Sequence, residues 1–137
     1  MKEEFIDLAT YRLEKAEDTL SDARKYINDA TPESTVNRIY YAMFYAVNAL
    51  LITKGLSSSK HSGVRALFNK EIVNKGLIER QWGEFYSDMF DRRQKGDYSD
   101  FVKFKKQDVE IWLKKAEEFM GIMRRLTLEI IQHEEKS

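Results

Sequence analysis

Apolar residues recur at alternating intervals of four and three along most of this 137-residue chain, and that spacing leaves few folds open. Across residues 3–29, Ala9, Leu13, Ala16, Leu20, Ala23 and Ile27 step 4-3-4-3-4, which puts them on one stripe of a helix. A second seam runs through Val36, Tyr40, Met43, Val47 and Leu50. Ile39, Tyr41, Phe44, Tyr45 and Leu51 flank it, so this helix is apolar almost all round. Such a helix is central, or it faces a partner as well as its own core. Ile78, Trp82, Phe85 and Met89 define a third long helix over about residues 77–93. Val109, Leu113, Ala116, Met120, Met123 and Ile130 define a fourth over about 105–133, widened by Trp112, Phe119, Leu126 and Leu128. Residues 134–137 are expected to fray.

The punctuation agrees with this reading. Thr31-Pro32-Glu33 combines an N-cap, a proline suited to the first helical position and an acid at the positive helix end. Lys54-Gly55 and Lys75-Gly76 are stop signals on either side of a short helix expected over residues 61–73. Residues 94–104, with Gly96 and Asp97-Tyr98-Ser99-Asp100, read as a loop. One proline and six glycines are too few for the turns of a sandwich or an α/β fold. The expectation is one all-α domain over residues 1–137: an up-and-down antiparallel four-helix bundle with an additional short helix.

Lys plus Arg and Asp plus Glu number 23 each, so net charge gives no global attraction to nucleic acid or an anionic membrane. Any basic site must be local or built by association. The absence of cysteine excludes disulfides, thiol catalysis and cysteine-ligated metal centres. The charged beginning lacks the apolar core of a signal peptide, and the longest apolar run, residues 39–51, is too short for a bilayer. A cytoplasmic protein without membrane attachment is expected. HExxH, a histidine pair at helical spacing, the ExxH of di-iron bundles, a P-loop and GxGxxG are all missing, so neither a metal nor a cofactor is expected.

Three features can carry chemistry. His61 opens the short helix, where the helix dipole disfavours its cation. A neutral imidazole there suits a base, or equally a local hydrogen bond that fixes the loop. Tyr41 and Tyr45 share one helix face, beside Tyr40 and Phe44. Such a stripe stacks nucleobases in some proteins and fills cores in more. Arg38 nearby is either an anion contact or a surface charge. Arg92, Arg93 and Lys95, followed by Asp97 and Tyr98, form a cationic group near a helix end. They complement the helix dipole or bind phosphate, and adjacent arginines point about 100° apart, so one at most faces a given site.

The series Arg38-Ile39-Tyr40-Tyr41-Ala42-Met43-Phe44, Ala49-Leu50-Leu51, Lys60-His61-Ser62-Gly63-Val64, then Arg92-Arg93 leading to Asp97-Tyr98, resembles the HEPN superfamily over nearly the whole chain. It is most similar to the prokaryotic branch called UPF0332. The resemblance implies a helical bundle that forms a homodimer and, in many members, a metal-independent RNA-cleaving toxin encoded beside a minimal nucleotidyltransferase. It implies a motif of Arg, four to six residues, then His, paired across the dimer. There the RNA 2′-hydroxyl attacks the adjacent phosphate. Here Arg92 or Arg93 fills the first position, but Tyr98 stands where the histidine belongs, and a phenol titrating near pH ~10 is a poor base. The motif is therefore incomplete. Either activity is lost, or His61 substitutes, or Tyr98 has another role, such as accepting AMP from the nucleotidyltransferase. Read from the residues themselves, Arg38, Tyr41, Tyr45, Lys95 and Asp97 are the candidate RNA or nucleotide contacts. Three functions follow: a nucleotide- or RNA-binding partner of a nucleotidyltransferase, an active endoribonuclease toxin, or a dimeric bundle that binds protein only.

Overall fold

The computed structural model describes residues 2–136, with side chains through Glu134. Helix α1 spans Glu3–Asp29, α2 Pro32–Thr53, α3 His61–Phe68, α4 Arg80–Tyr98 and α5 Lys106–Lys136; a π-helical turn, Asn69–Val73, extends α3. Ion pairs fix the directions. Arg24 meets Glu117 and Glu17 meets Arg124, so α1 and α5 run antiparallel. Asn37 meets Asp97 while Tyr40 meets Tyr86 and Phe90, so α2 and α4 do likewise. The result is the expected antiparallel bundle, with α3 wedged beside α2 and α4. None of the described helices is long and apolar enough to cross a membrane.

The seams become the core. Ala9, Leu13, Ala16, Leu20 and Ala23 of α1 are buried, as are Val36, Tyr40, Met43, Val47 and Leu50 of α2. Helix α2 touches α1, α3, α4 and α5, so its apolar girth is used within the protomer. That removes one of the two sequence arguments for a dimer. The Thr31 side chain caps α2 by accepting from Ser34 N–H at 3.1 Å. Gly55 and Gly76 take φ of +72° and +75°, the left-handed conformation that ends the preceding segments.

Two boundaries differ from the sequence reading, and both bear on the site. Helix α4 begins three residues later than expected and runs on to Tyr98, so Gln94 to Tyr98 are helical and the connection to α5 shrinks to residues 99–105. The added turn is held by the i,i+4 pair of Arg93 with Asp97 and by Asn37 from α2. Gly96 is tolerated there because Phe104 packs where its side chain would stand, 3.0 Å from an ideal Cβ. At the other end of the chain α5 stays helical through Lys136, past the expected fraying point; Ser137 lies outside the described residues.

Candidate functional site

The N-terminus of α3 meets the middle of α2 and the last third of α4. His61 is placed there by a tight loop. Ser58 Oγ accepts from Lys60 N–H at 3.2 Å and sits only 2.0 Å from where a Cβ on Gly63 would be, so Gly63 lets the loop close beneath the first turn. The His61 ring then stacks on Phe44, centroids 4.2 Å apart at 12°, with the edge of Tyr41 at 5.6 Å. The Tyr40 hydroxyl lies 2.9 Å from His61 Nδ1. Nε2 has no protein partner among the described residues and is not among the buried unpaired atoms, so it is the nitrogen presented to solvent.

Arg93 enters the same cluster from α4. It is only 6% exposed, an unusual position for a guanidinium. Its Nη2 lies 3.5 Å from His61 Nδ1, and its Cζ stands 4.7 Å from the centre of the Tyr40 ring, a cation–π distance. Nη1 pairs with Asp97 at 3.8 Å. Asn37 donates to both Asp97 oxygens, at 3.1 and 3.3 Å, and its own Oδ1 accepts two bonds from Arg38, at 3.1 and 2.8 Å. Arg38 in turn lies over Tyr41 at 5.4 Å. A continuous polar chain thus runs His61, Arg93, Asp97, Asn37, Arg38. It borders an open cleft lined by Tyr26, Ser34, Asn37, Arg38, Gly96 and Asp97, among others.

The electrostatics follow from this packing. Burial, reinforced by the Arg93 charge, lowers the His61 pKa below its usual 6.5, so the imidazole is neutral at pH 7. Burial raises the Tyr40 phenol above 10.0, opposed by Tyr86 and Arg93. The deeper Tyr86 phenol is pushed up further, again by burial, and its hydroxyl makes no protein hydrogen bond of good geometry. Both tyrosines therefore remain protonated donors at physiological pH.

The remaining expected residues lie elsewhere. Arg92 turns toward α5, with its Cζ 4.1 Å from the Trp112 ring centre. Tyr45 faces α1 and carries Lys15 over its ring at 4.6 Å. Lys95 is exposed. Tyr98 is 80% exposed at the end of α4, outside the His61–Arg93 cluster. One residue of the cluster escaped sequence reasoning altogether: Asn37 had no visible partner, because Asp97 is sixty positions away. Tyr40 stood out only as part of the aromatic stripe, with no role for its hydroxyl. Among the described residues no three His, Asp or Glu side chains gather as a metal-holding group.

What the cluster offers is a half-exposed neutral imidazole, a buried cation behind it and, over the neighbouring Tyr41 ring, a second guanidinium. That set suits an anion with several oxygens. Comparison with known proteins gives a match to the HEPN domain over residues 9–126. A UPF0332 protein of Thermotoga maritima is 45% identical over 91% of this chain and 92% of its own length. A Methanocaldococcus jannaschii protein named "Putative toxin MJ0142" is 36% identical over 80% of this chain and 74% of its own. A UPF0332 protein of Gloeobacter violaceus, glr0978, is 32% identical over 80% and 88%.

Proposed function

This chain belongs to the HEPN domain family, and on that premise we propose that it is the phosphate-recognising member of a toxin–antitoxin-type pair, binding single-stranded RNA or a nucleotide beside a minimal nucleotidyltransferase. The observation that carries this reading is the contact of His61 with Arg93 at 3.5 Å in a half-open cluster. In this reading a phosphate takes a hydrogen bond from the outward His61 nitrogen and Arg38 adds charge from across Tyr41, while Arg93 supplies charge from behind at low dielectric. Tyr41, half-buried with an accessible edge, gives a base or ribose a surface to rest on. The toxin side of the proposal leans on the name of the Methanocaldococcus relative. A cytoplasmic homodimer belongs to the same proposal. Its support is the exposed pair Tyr98 and Phe101, 80% and 96% accessible, at the end of α4. Light scattering at micromolar concentrations reads the assembly directly; a monomer throughout removes the dimer.

A second reading, a metal-independent endoribonuclease, is favoured by one feature. An Arg and a His meet within a single protomer, although His61 comes from α3 and not from the segment after Arg93. In that reading His61 takes the 2′-hydroxyl proton as the oxygen attacks phosphorus and the 5′-oxygen leaves. One titration separates the two. Labelled single-stranded RNA is added to the protein in EDTA, followed by fluorescence anisotropy and then by gel. Binding that Arg93→Ala removes, with intact RNA, supports the first reading. Cleavage that Arg93→Ala removes supports the second. RNA that neither binds nor breaks overturns both.

A further inference from the structure

His61 Nδ1 has one lone pair or one proton, and two groups crowd it. The Tyr40 hydroxyl at 2.9 Å can donate or accept. The Arg93 Nη2 at 3.5 Å can only donate. A proton on Nδ1 would face a guanidinium N–H, two positive hydrogens in a poorly solvated site. The obligate donor therefore breaks the tie that the ambivalent hydroxyl leaves: Nδ1 accepts, and the proton resides on Nε2. The ring cannot escape by turning over. A flip would set a carbon against the hydroxyl of Tyr40, a residue with 0% exposure, and leave that buried donor unpaired. The Phe44 ring, stacked at 4.2 Å, holds the plane. Among the described residues no carboxylate touches the imidazole to reverse the preference. Tyr40, Tyr41 and Phe44 face it from α2 and Arg93 from α4, with Asp97 beyond Arg93.

We propose that Arg93 and Tyr40 together position this site: the guanidinium keeps a proton off His61 Nδ1 and the Tyr40 hydroxyl holds the ring, which fixes the neutral tautomer protonated on Nε2, so that the solvent-facing nitrogen is a standing hydrogen-bond donor. What that donor touches rests on the phosphate-binding reading; the tautomer itself does not. The consequence for function is specific. A neutral imidazole of this tautomer donates to a phosphate oxygen but has no outward lone pair with which to accept a proton from a 2′-hydroxyl. The Arg93–Tyr40 pair thereby selects recognition over base catalysis.

The test is a long-range 1H–15N spectrum of the intact chain with labelled histidine, recorded above pH ~7, where an ordinary imidazole is neutral. His133→Gln assigns the two residues. The expected wild-type spectrum shows His61 Nδ1 as the unprotonated nitrogen and Nε2 as the protonated one. Arg93→Gln removes the obligate donor and should move the two nitrogen shifts toward each other as the tautomers mix, whereas Tyr40→Phe, which keeps Arg93, should leave Nδ1 unprotonated. A wild-type Nδ1 that carries the proton, or is half protonated, overturns the inference. So does an Arg93→Gln spectrum identical to wild type. If Arg93→Gln does not fold, the wild-type spectrum decides alone. In the RNA titration Tyr40→Phe should weaken binding by about threefold to tenfold, the worth of one ordinary hydrogen bond. The correct tautomer without any RNA binding would sink the functional reading and leave this one standing; RNA binding with the wrong tautomer would do the reverse.

Discussion

Arg92 and Arg93 are neighbours in sequence and occupy different environments. Arg93 turns into the junction of α2, α3 and α4, where it is buried, pairs with Asp97 and adjoins His61. Arg92, about 100° further round the helix, lies half-exposed across Trp112 on the α5 side. Among the described residues its Nη1 reaches only the Met89 sulfur, at 3.6 Å. One arginine joins a polar network, with its Nε buried and unpaired among the described residues, while the other covers an aromatic ring on the opposite side. A doublet of identical residues thus divides into a site residue and a packing residue by rotation alone.

That division predicts unequal losses. Arg93→Ala leaves Asp97 with Asn37 alone and opens a void against Tyr40, which should cost about 2–4 kcal/mol in urea unfolding. Arg92→Ala gives up a partly exposed cation–π contact worth about 0.5–1 kcal/mol. Equal losses would break the comparison. Gly63→Ala should come next, at about 1–2 kcal/mol, because the new methyl collides with the Ser58 side chain that seats His61. Adding Ser58→Gly should recover much of it, and a double-mutant cycle would measure that coupling.

A smaller effect depends on pH. The folded His61 has a lowered pKa, so the unfolded chain binds its proton first as pH falls. Stability should be flat in this respect well above pH ~6.5 and decline as pH falls through and below it, and His61→Gln should flatten that slope. Denaturant midpoints across this range check it; an unchanged slope in the variant would contradict the burial of His61 against Arg93. Tyr98→Phe is the smallest, within about 0.5 kcal/mol, since its ring stands in solvent.

Much of the fold was legible because helix period and capping are local. The α1 and α2 seams, Thr31-Pro32 and the Gly55 and Gly76 stops all appear where the spacing places them. The end of α4 was not legible. Gly96 and the polar run after it look like a loop until Asn37 and Phe104 are in place, and both come from other elements. The site divides in the same way. His61 and the arginine doublet stand out as residue types, but their meeting spans 32 positions and depends on which arginine the α4 register turns inward. Tyr40 belongs to core and site at once, with its ring in the first and its hydroxyl in the second, and periodicity reports only the ring.

The central claim is that the Arg93 side of α4 recognises phosphate and the Arg92 side does not. The most direct measurement is the affinity of single-stranded RNA for Arg92→Ala and Arg93→Ala, side by side in EDTA at two salt concentrations. Arg93→Ala should weaken binding at least about tenfold and flatten the salt dependence, whereas Arg92→Ala should stay within about twofold of wild type. Equal weakening in the two variants, or a larger loss in Arg92→Ala, would place the anion site on the other face of α4 and contradict the account.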